Sequence, residues 1–150
     1  MRRKDRQIDR KAAYNNLNNG EYGILSTVGL NSQPYGVPLN FCVEKDKIYF
    51  HCATVGKKIE NIMQNSKVSF CVVGSTFVLP EKFSTKYIST IVTGLVEEVY
   101  DDEKQHALES MLKKYSPAYF VEGLKYIKEL FKKTRVFRIN IQSITGKSNG

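Results

Sequence analysis

A mainly β protein, a largely antiparallel β-barrel with added helices, is the fold class this sequence predicts. Apolar, β-branched runs of strand length follow one another across short turns, and helical spacing appears only in segments inserted between them. No repeat, low-complexity stretch or internal linker divides the 150 residues. A chain of that length suits one domain, residues 1–150, able to bury about 68–70% of its unfolded surface.

The elements follow in order. Residues 9–19 predict a short helix, with Asp9 as cap, Ala13 and Leu17 on one face and Asn19-Gly20 as the stop. EYGILSTVG predicts a strand, Leu30-Asn31-Ser32 a turn, and QPYGVPLNFCVE the returning strand. A tight turn at Lys45-Asp46 leads into KIYFHCA. Beyond Gly56 the spacing predicts a helix of about three turns, then VSFCVVG and the long run KYISTIVTGLVEEVY as strands. Two helices follow. The first, roughly Asp102 to Tyr115, turns Ala107, Leu108, Met111 and Leu112 inward; the second, after Pro117, carries Phe120, Leu124, Ile127 and Phe131 at helical spacing. RVFRINIQSITGK closes the fold as a strand.

If Lys45-Asp46 is a two-residue turn, Glu44 faces Lys47, Phe41 faces Phe50, Leu39 faces Cys52 and Asn40 lies opposite His51. Leu39, Phe41, Val43, Ile48, Phe50 and Cys52 then form an apolar face, while Asn40, Cys42, Tyr49, His51 and Ala53 point the other way. Such a second face, mixed aromatic and polar, suits a pocket for a planar ligand.

Composition excludes several classes. With 41% hydrophobic and 25% charged residues, neither disorder nor a membrane span is indicated. The basic start MRRKDRQ runs into IDRKAAYNN, not an apolar stretch, so no secretory signal and a cytoplasmic location are expected. Cys42, Cys52 and Cys71, odd in number and without CxxC spacing, fit buried thiols in a reducing compartment. The net charge of +8 raises the question of nucleic acid. It is segregated: residues 1–12 hold six basic and two acidic side chains, residues 97–109 one and six, and residues 113–138 eight and two. In the last stretch the lysines sit between apolar helix positions, the pattern of a solvated face, and no nucleic-acid motif accompanies them.

The most informative stretch is YFHCATVGKKIENI, residues 49–62, where an aromatic strand passes through Gly56 into two adjacent lysines at a helix start. Lys57 and Lys58 there oppose the helix dipole by about 0.3–1 kcal/mol each. Either they form a solvated first turn or they serve an anion held by backbone amides. GxxxxGK[ST] is absent, so the corner is no P-loop. His51 alone reads as a hydrogen-bonded strand histidine, and His106 has no evident partner. Zinc on Cys42, Cys52, Cys71 and His51 is disfavoured, since the register sets Cys52 on the face opposite His51 and Cys42; no metal site is expected.

Taken together, RRKDRQI, YGILSTVGLNSQPYGVPLNF, KIYFHCATVGKKIENIMQNSKVSFCVVG and RINIQSITGK resemble the NimA/NimC family of 5-nitroimidazole resistance proteins, within the pyridoxamine 5′-phosphate oxidase-related flavoproteins. The resemblance spans almost the whole chain. It implies an FMN-binding split barrel of antiparallel Greek-key type, dimeric, with two FMN molecules at the subunit interface. It further implies a phosphate held by Thr54, Lys57 and Lys58, and a flavin ring along Val37, Pro38, Leu39 and Asn40 on one side and His51, Cys52 and Ala53 on the other. Ser89 and Lys147 match family positions near the cofactor or interface. An Arg-x-x-x-Leu-Lys signature like that of true pyridoxamine phosphate oxidases is missing, so oxidation of vitamin B6 phosphates is not expected. The implied activity is an FMN-dependent reduction of small electron-poor molecules such as 5-nitroimidazoles, with Tyr49 or His51 as the proton-donor candidates. The alternative is a non-enzymatic flavin-binding redox or stress-response protein. GSTFVLPEKFSTKY, residues 74–87, resembles the family least and is expected to shape the substrate side.

Overall fold

The computed structural model describes residues 1–150. Its strands are β1 (Gln7–Ile8), β2 (Gly23–Val28), β3 (Pro34–Leu39), β4 (Cys42–Glu44), β5 (Lys47–Cys52), β6 (Lys67–Val73), β7 (Phe77–Leu79), β8 (Ser84–Val99) and β9 (Arg135–Asn149). Its α-helices are α1 (Arg10–Asn19), α2 (Lys57–Gln64), α3 (Asp101–Tyr115) and α4 (Phe120–Leu130). All strand pairs are antiparallel, in the order β3-β2-β6-β8-β9-β5-β4, with β1 added to β9 and β7 to β8. The two ends of that path, β3 and β4, are consecutive in the chain. They are joined through Asn40 and Phe41 and not by a ladder, which leaves the barrel split along this seam.

Local chemistry accounts for the helix starts and turns. The Asp9 carboxylate accepts from the Ala12 N–H at 2.8 Å and caps α1, whose Ala13 and Leu17 are buried. Lys45 takes a positive φ of 53° in the two-residue turn between β4 and β5. The long strands β8 and β9 bend where the register shifts between Thr93 and Gly94. A Cβ on Gly94 would lie 2.3 Å from the Asn140 carbonyl oxygen, so the close backbone approach at this bend requires glycine.

Inside the barrel, Leu17, Leu25, Phe41, Ile48, Phe50, Phe70, Phe137 and Ile139 are fully buried. Phe41 meets Phe70 edge-on at 4.9 Å, and Phe50 stacks on its cross-strand partner Phe137 at 5.6 Å. A second cluster lies outside the sheet. There α3 and α4 cover Cys42, Tyr49, Val99 and Val136 with Ala107, Leu108, Met111 and Ile127.

Three expectations change. The segment QPYGVPLNFCVE is two strands: Leu39 pairs with Gly23 and Cys52 with Arg135, so Leu39 does not face Cys52, although the register from Cys42↔Tyr49 to Glu44↔Lys47 is as expected. The cause is the backbone of Phe41, which leaves the ladder because α3 satisfies it. The Tyr115 hydroxyl accepts from the Phe41 N–H at 3.1 Å, and Lys114 Nζ donates to the Phe41 carbonyl at 2.9 Å. Second, α2 has eight residues, little more than two turns. Third, the stretch before KYIST, to which the sequence assigns no element, holds strand β7, a 3₁₀ turn at Pro80–Lys82 and the start of β8 at Ser84.

Candidate functional site

β5 ends at Cys52 and the exposed run Ala53–Gly56 delivers the chain to α2. Gly56 has φ +149°, a backbone that disfavours a side chain, and a Cβ there would meet nothing within 4 Å. No side chain caps α2. Its first backbone bond runs from the Glu60 N–H to the Gly56 carbonyl at 3.0 Å, which leaves the preceding N–H groups without helical partners. Neither Lys57 nor Lys58 enters an ion pair. Unpartnered amides, free cations, the Thr54 hydroxyl and open space above Gly56 together form a corner suited to an oxyanion.

Arg135, which the sequence reading did not single out, supports this corner. Its guanidinium donates to both Glu98 carboxylate oxygens, at 3.0 and 2.6 Å, and to the Thr54 carbonyl at 3.3 Å. The Glu98 carboxyl is held below its ordinary pKa chiefly by this hydrogen bond. The signal available in the sequence was the pair of arginines three apart in RVFRIN, opposite the acidic run of β8.

His51 lies open at the end of β5, yet the surrounding protein removes enough water to lower its pKa, and the Lys58 charge adds to that lowering. Neutral imidazole at pH 7 is the consequence. Tyr49 does not reach an open pocket. Its ring is buried under α3, and its hydroxyl donates to Glu103 Oε2 at 2.7 Å. Burial and then this bond push its pKa up, so of the two proton-donor candidates only His51 remains accessible. Arg138 braces the same carboxylate from two contacts at 2.7 and 2.8 Å. His106 does have a partner, Glu44 at 2.8 Å.

On the other bank of the seam, Val37 and Leu39 pack on the core while Pro38 is exposed on the edge strand β3, where a missing N–H costs no ladder bond. Asn40 closes the seam and shares a cavity with His51. The cysteines are dispersed: Cys52 faces the barrel interior, while Cys42 lies beneath α3, where burial pushes its thiol up to about 12.

Ser89 and Lys147 face each other across β8 and β9. That pair lies at the far end of the ladder from Val99↔Val136, and Val136 pairs with His51. Ten residues of strand, a path of about 30 Å at roughly 3.3 Å each along the bent ladder, therefore lie between them and the Val99↔Val136 end. Around Ser89 the surface is apolar and open: Val73 is 59% exposed, Ile91 48%, and Phe77 and Phe83 on the β7 arm 65% and 98%.

A split antiparallel barrel with an anion-ready corner beside its seam is thus the class that fold and site define. Residues 9–148 match the model of the pyridoxamine 5′-phosphate oxidase family, and the chain belongs to that family. No curated protein matches the chain. Among solved structures it is similar to a candidate 5-nitroimidazole antibiotic resistance protein of Bacteroides thetaiotaomicron, with 24% identity, 94% of this chain and 85% of that one covered, and a TM-score of 0.76. A FAD-binding protein of Mesorhizobium loti matches at 23% identity over 97% and 98% of the two chains, TM-score 0.69. The FAD and heme binding protein of Mycobacterium smegmatis matches at 18% identity over 97% and 74%, TM-score 0.83. These likenesses establish the fold. No helix is long and apolar enough to cross a membrane.

Proposed function

We propose that this chain binds FMN as a homodimer and reduces small electron-poor molecules, 5-nitroimidazoles among them, in the manner of the NimA/NimC group. The observation that carries the cofactor assignment is the corner at Gly56, where two unpaired lysines stand on the free amides of α2 against the helix dipole. Thr54, Lys57 and Lys58 would hold the phosphate. Val37, Pro38, Leu39 and Asn40 on one bank and His51, Cys52 and Ala53 on the other would flank the ring along the seam. When bound, the flavin supplies hydride or electron transfer. The protein's part is to orient the ring, shield it from water and present the neutral His51 imidazole as a hydrogen-bond donor and proton acceptor beside it.

A dimer would bring the two groups of residues together. Ser89 and Lys147 stand at the far end of the β8–β9 ladder from their own chain's lysine corner, and the exposed apolar surface beside them suits a second copy that brings its own corner there. In mixed dimers of one K57A/K58A chain and one S89A/K147A chain, one site per dimer is then wholly wild type. Such dimers are expected to hold about half the wild-type flavin, while each variant alone holds little. No recovery in the mixed dimer would mean that all contacts come from one chain.

Burial of Tyr49 leaves few proton donors, which favours a second reading, a non-enzymatic flavin-binding redox protein. Reoxidation of the photoreduced protein by a 5-nitroimidazole in stopped flow separates the two. The reductase reading expects a rate well above that of free reduced FMN, lowered by Asn40→Ala or His51→Ala by more than any fall in FMN occupancy. A rate no faster than free reduced FMN makes the protein a flavin holder.

A further inference from the structure

Between α3, α4 and the outer side of the β4–β5 hairpin lies a cavity of about 300 Å³. Leu108, Met111, Leu112, Ile127 and Leu130 supply its apolar wall, and Asn40 and His51 stand at the end nearest the barrel seam. Where Gly123 and Leu112 line it the helices meet: a Cβ on Gly123 would lie 2.2 Å from the Leu112 side chain, so α4 rests directly on α3 there.

Two properties of the lining define what it can hold. None of the twelve lining residues is Asp, Glu, Lys or Arg, in a chain where 25% of residues are charged. An ionised group seated against the α3–α4 wall would therefore lose water and find no counter-charge among the lining residues. The polar side chains, moreover, divide by function. The Tyr115 hydroxyl is spent on the carbonyls of Glu21 and Phe41, and that of Thr134 on the Leu130 carbonyl, whereas Ser116, Tyr126, Asn40 and His51 keep their polar groups free; of these, the Asn40 amide and the His51 imidazole stand together at the seam end. The volume is at the small end of the range for small-molecule sites, roughly 300–1,000 Å³.

We infer that this cavity is a specificity pocket for a neutral, single-ring organic molecule, seated against the α3–α4 wall with its polar substituent hydrogen-bonded to Asn40 and His51. Whether that molecule is the electron acceptor rests on the flavin reading; that it binds does not.

The test uses two probes of one shape, neutral 4-nitrobenzamide and anionic 4-nitrobenzoate, titrated into the protein as purified. Methyl resonances of Leu108, Leu112, Ile127 and Leu130 report the site, and the flavin spectrum is followed separately. The amide is expected to bind at least about tenfold tighter than the carboxylate, to shift those methyls, and to lose binding in Leu130→Trp with flavin content unchanged. General attraction to a protein of net charge +8 would favour the carboxylate instead. Equal or tighter binding of the carboxylate, shifts confined to other methyls, or no binding of either probe at millimolar concentration overturns the assignment. Binding of the amide by protein that takes up no FMN would support the pocket while removing the flavin reading.

Discussion

Replacing Lys57 and Lys58 together by alanine is expected to weaken FMN binding by about two to four orders of magnitude and riboflavin binding by less than about threefold. Each charge-assisted contact to a phosphate contributes about 1.5–3 kcal/mol, and riboflavin has no phosphate to miss it. Stability should move the other way. With no acidic partner in the chain, each lysine opposes the α2 dipole, so the FMN-free double variant should melt at the same temperature as the FMN-free parent or slightly above it. Titration calorimetry with both ligands and thermal melts without them check the two halves. Equal losses for FMN and riboflavin would refute the phosphate assignment, and a large drop in melting temperature would show that the lysines hold the fold instead.

Phe50→Ala should destabilise the fold by about 3–5 kcal/mol, the cost of removing a fully buried aromatic ring and leaving a cavity. The ring has no exposed surface and stacks on Phe137 at 5.6 Å across the β5–β9 ladder. Tyr49→Phe, one residue earlier, keeps its ring and loses only the hydroxyl bond to Glu103, a carboxylate that Arg138 continues to engage. About 1–2 kcal/mol is expected there. Urea unfolding gives both, read as midpoint shifts at constant slope. A Phe50→Ala loss no larger than that of Tyr49→Phe would mean that β5 does not bury its inner face as described.

The two residues also show which parts of the site could be read without a structure. Alternation along KIYFHC correctly separates the side of Phe50 from that of Tyr49, because strand side chains change face at every residue. Alternation does not say what covers each side. The outer face looked available for a ligand, but α3, fifty residues further on, buries Tyr49 and Cys42 there. Towards Asn40, His51 and Ala53 that face stays exposed, and Asn40 and His51 line a cavity there. Pro38 was a missed clue: a proline within a strand points to a sheet edge, and β3 is one.

What the sequence determined by itself is what neighbouring residues decide among themselves. The Asp9 cap, the turn at Lys45-Asp46, the faces of the helices and the glycine entry into Lys57-Lys58 each depend on atoms only a few residues apart. The tertiary structure decided the rest. Phe41 leaves its strand because a hydroxyl and an amine from Tyr115 and Lys114 satisfy its backbone, and Thr54 is braced from Arg135, eighty-one residues away. Ser89 and Lys147, which the resemblance implied for the neighbourhood of the cofactor, lie at the opposite end of the β8–β9 ladder from the lysine corner. Backbone groups and charges accept any partner of the right chemistry, and which distant one arrives depends on strand order and helix placement, quantities that no local spacing encodes.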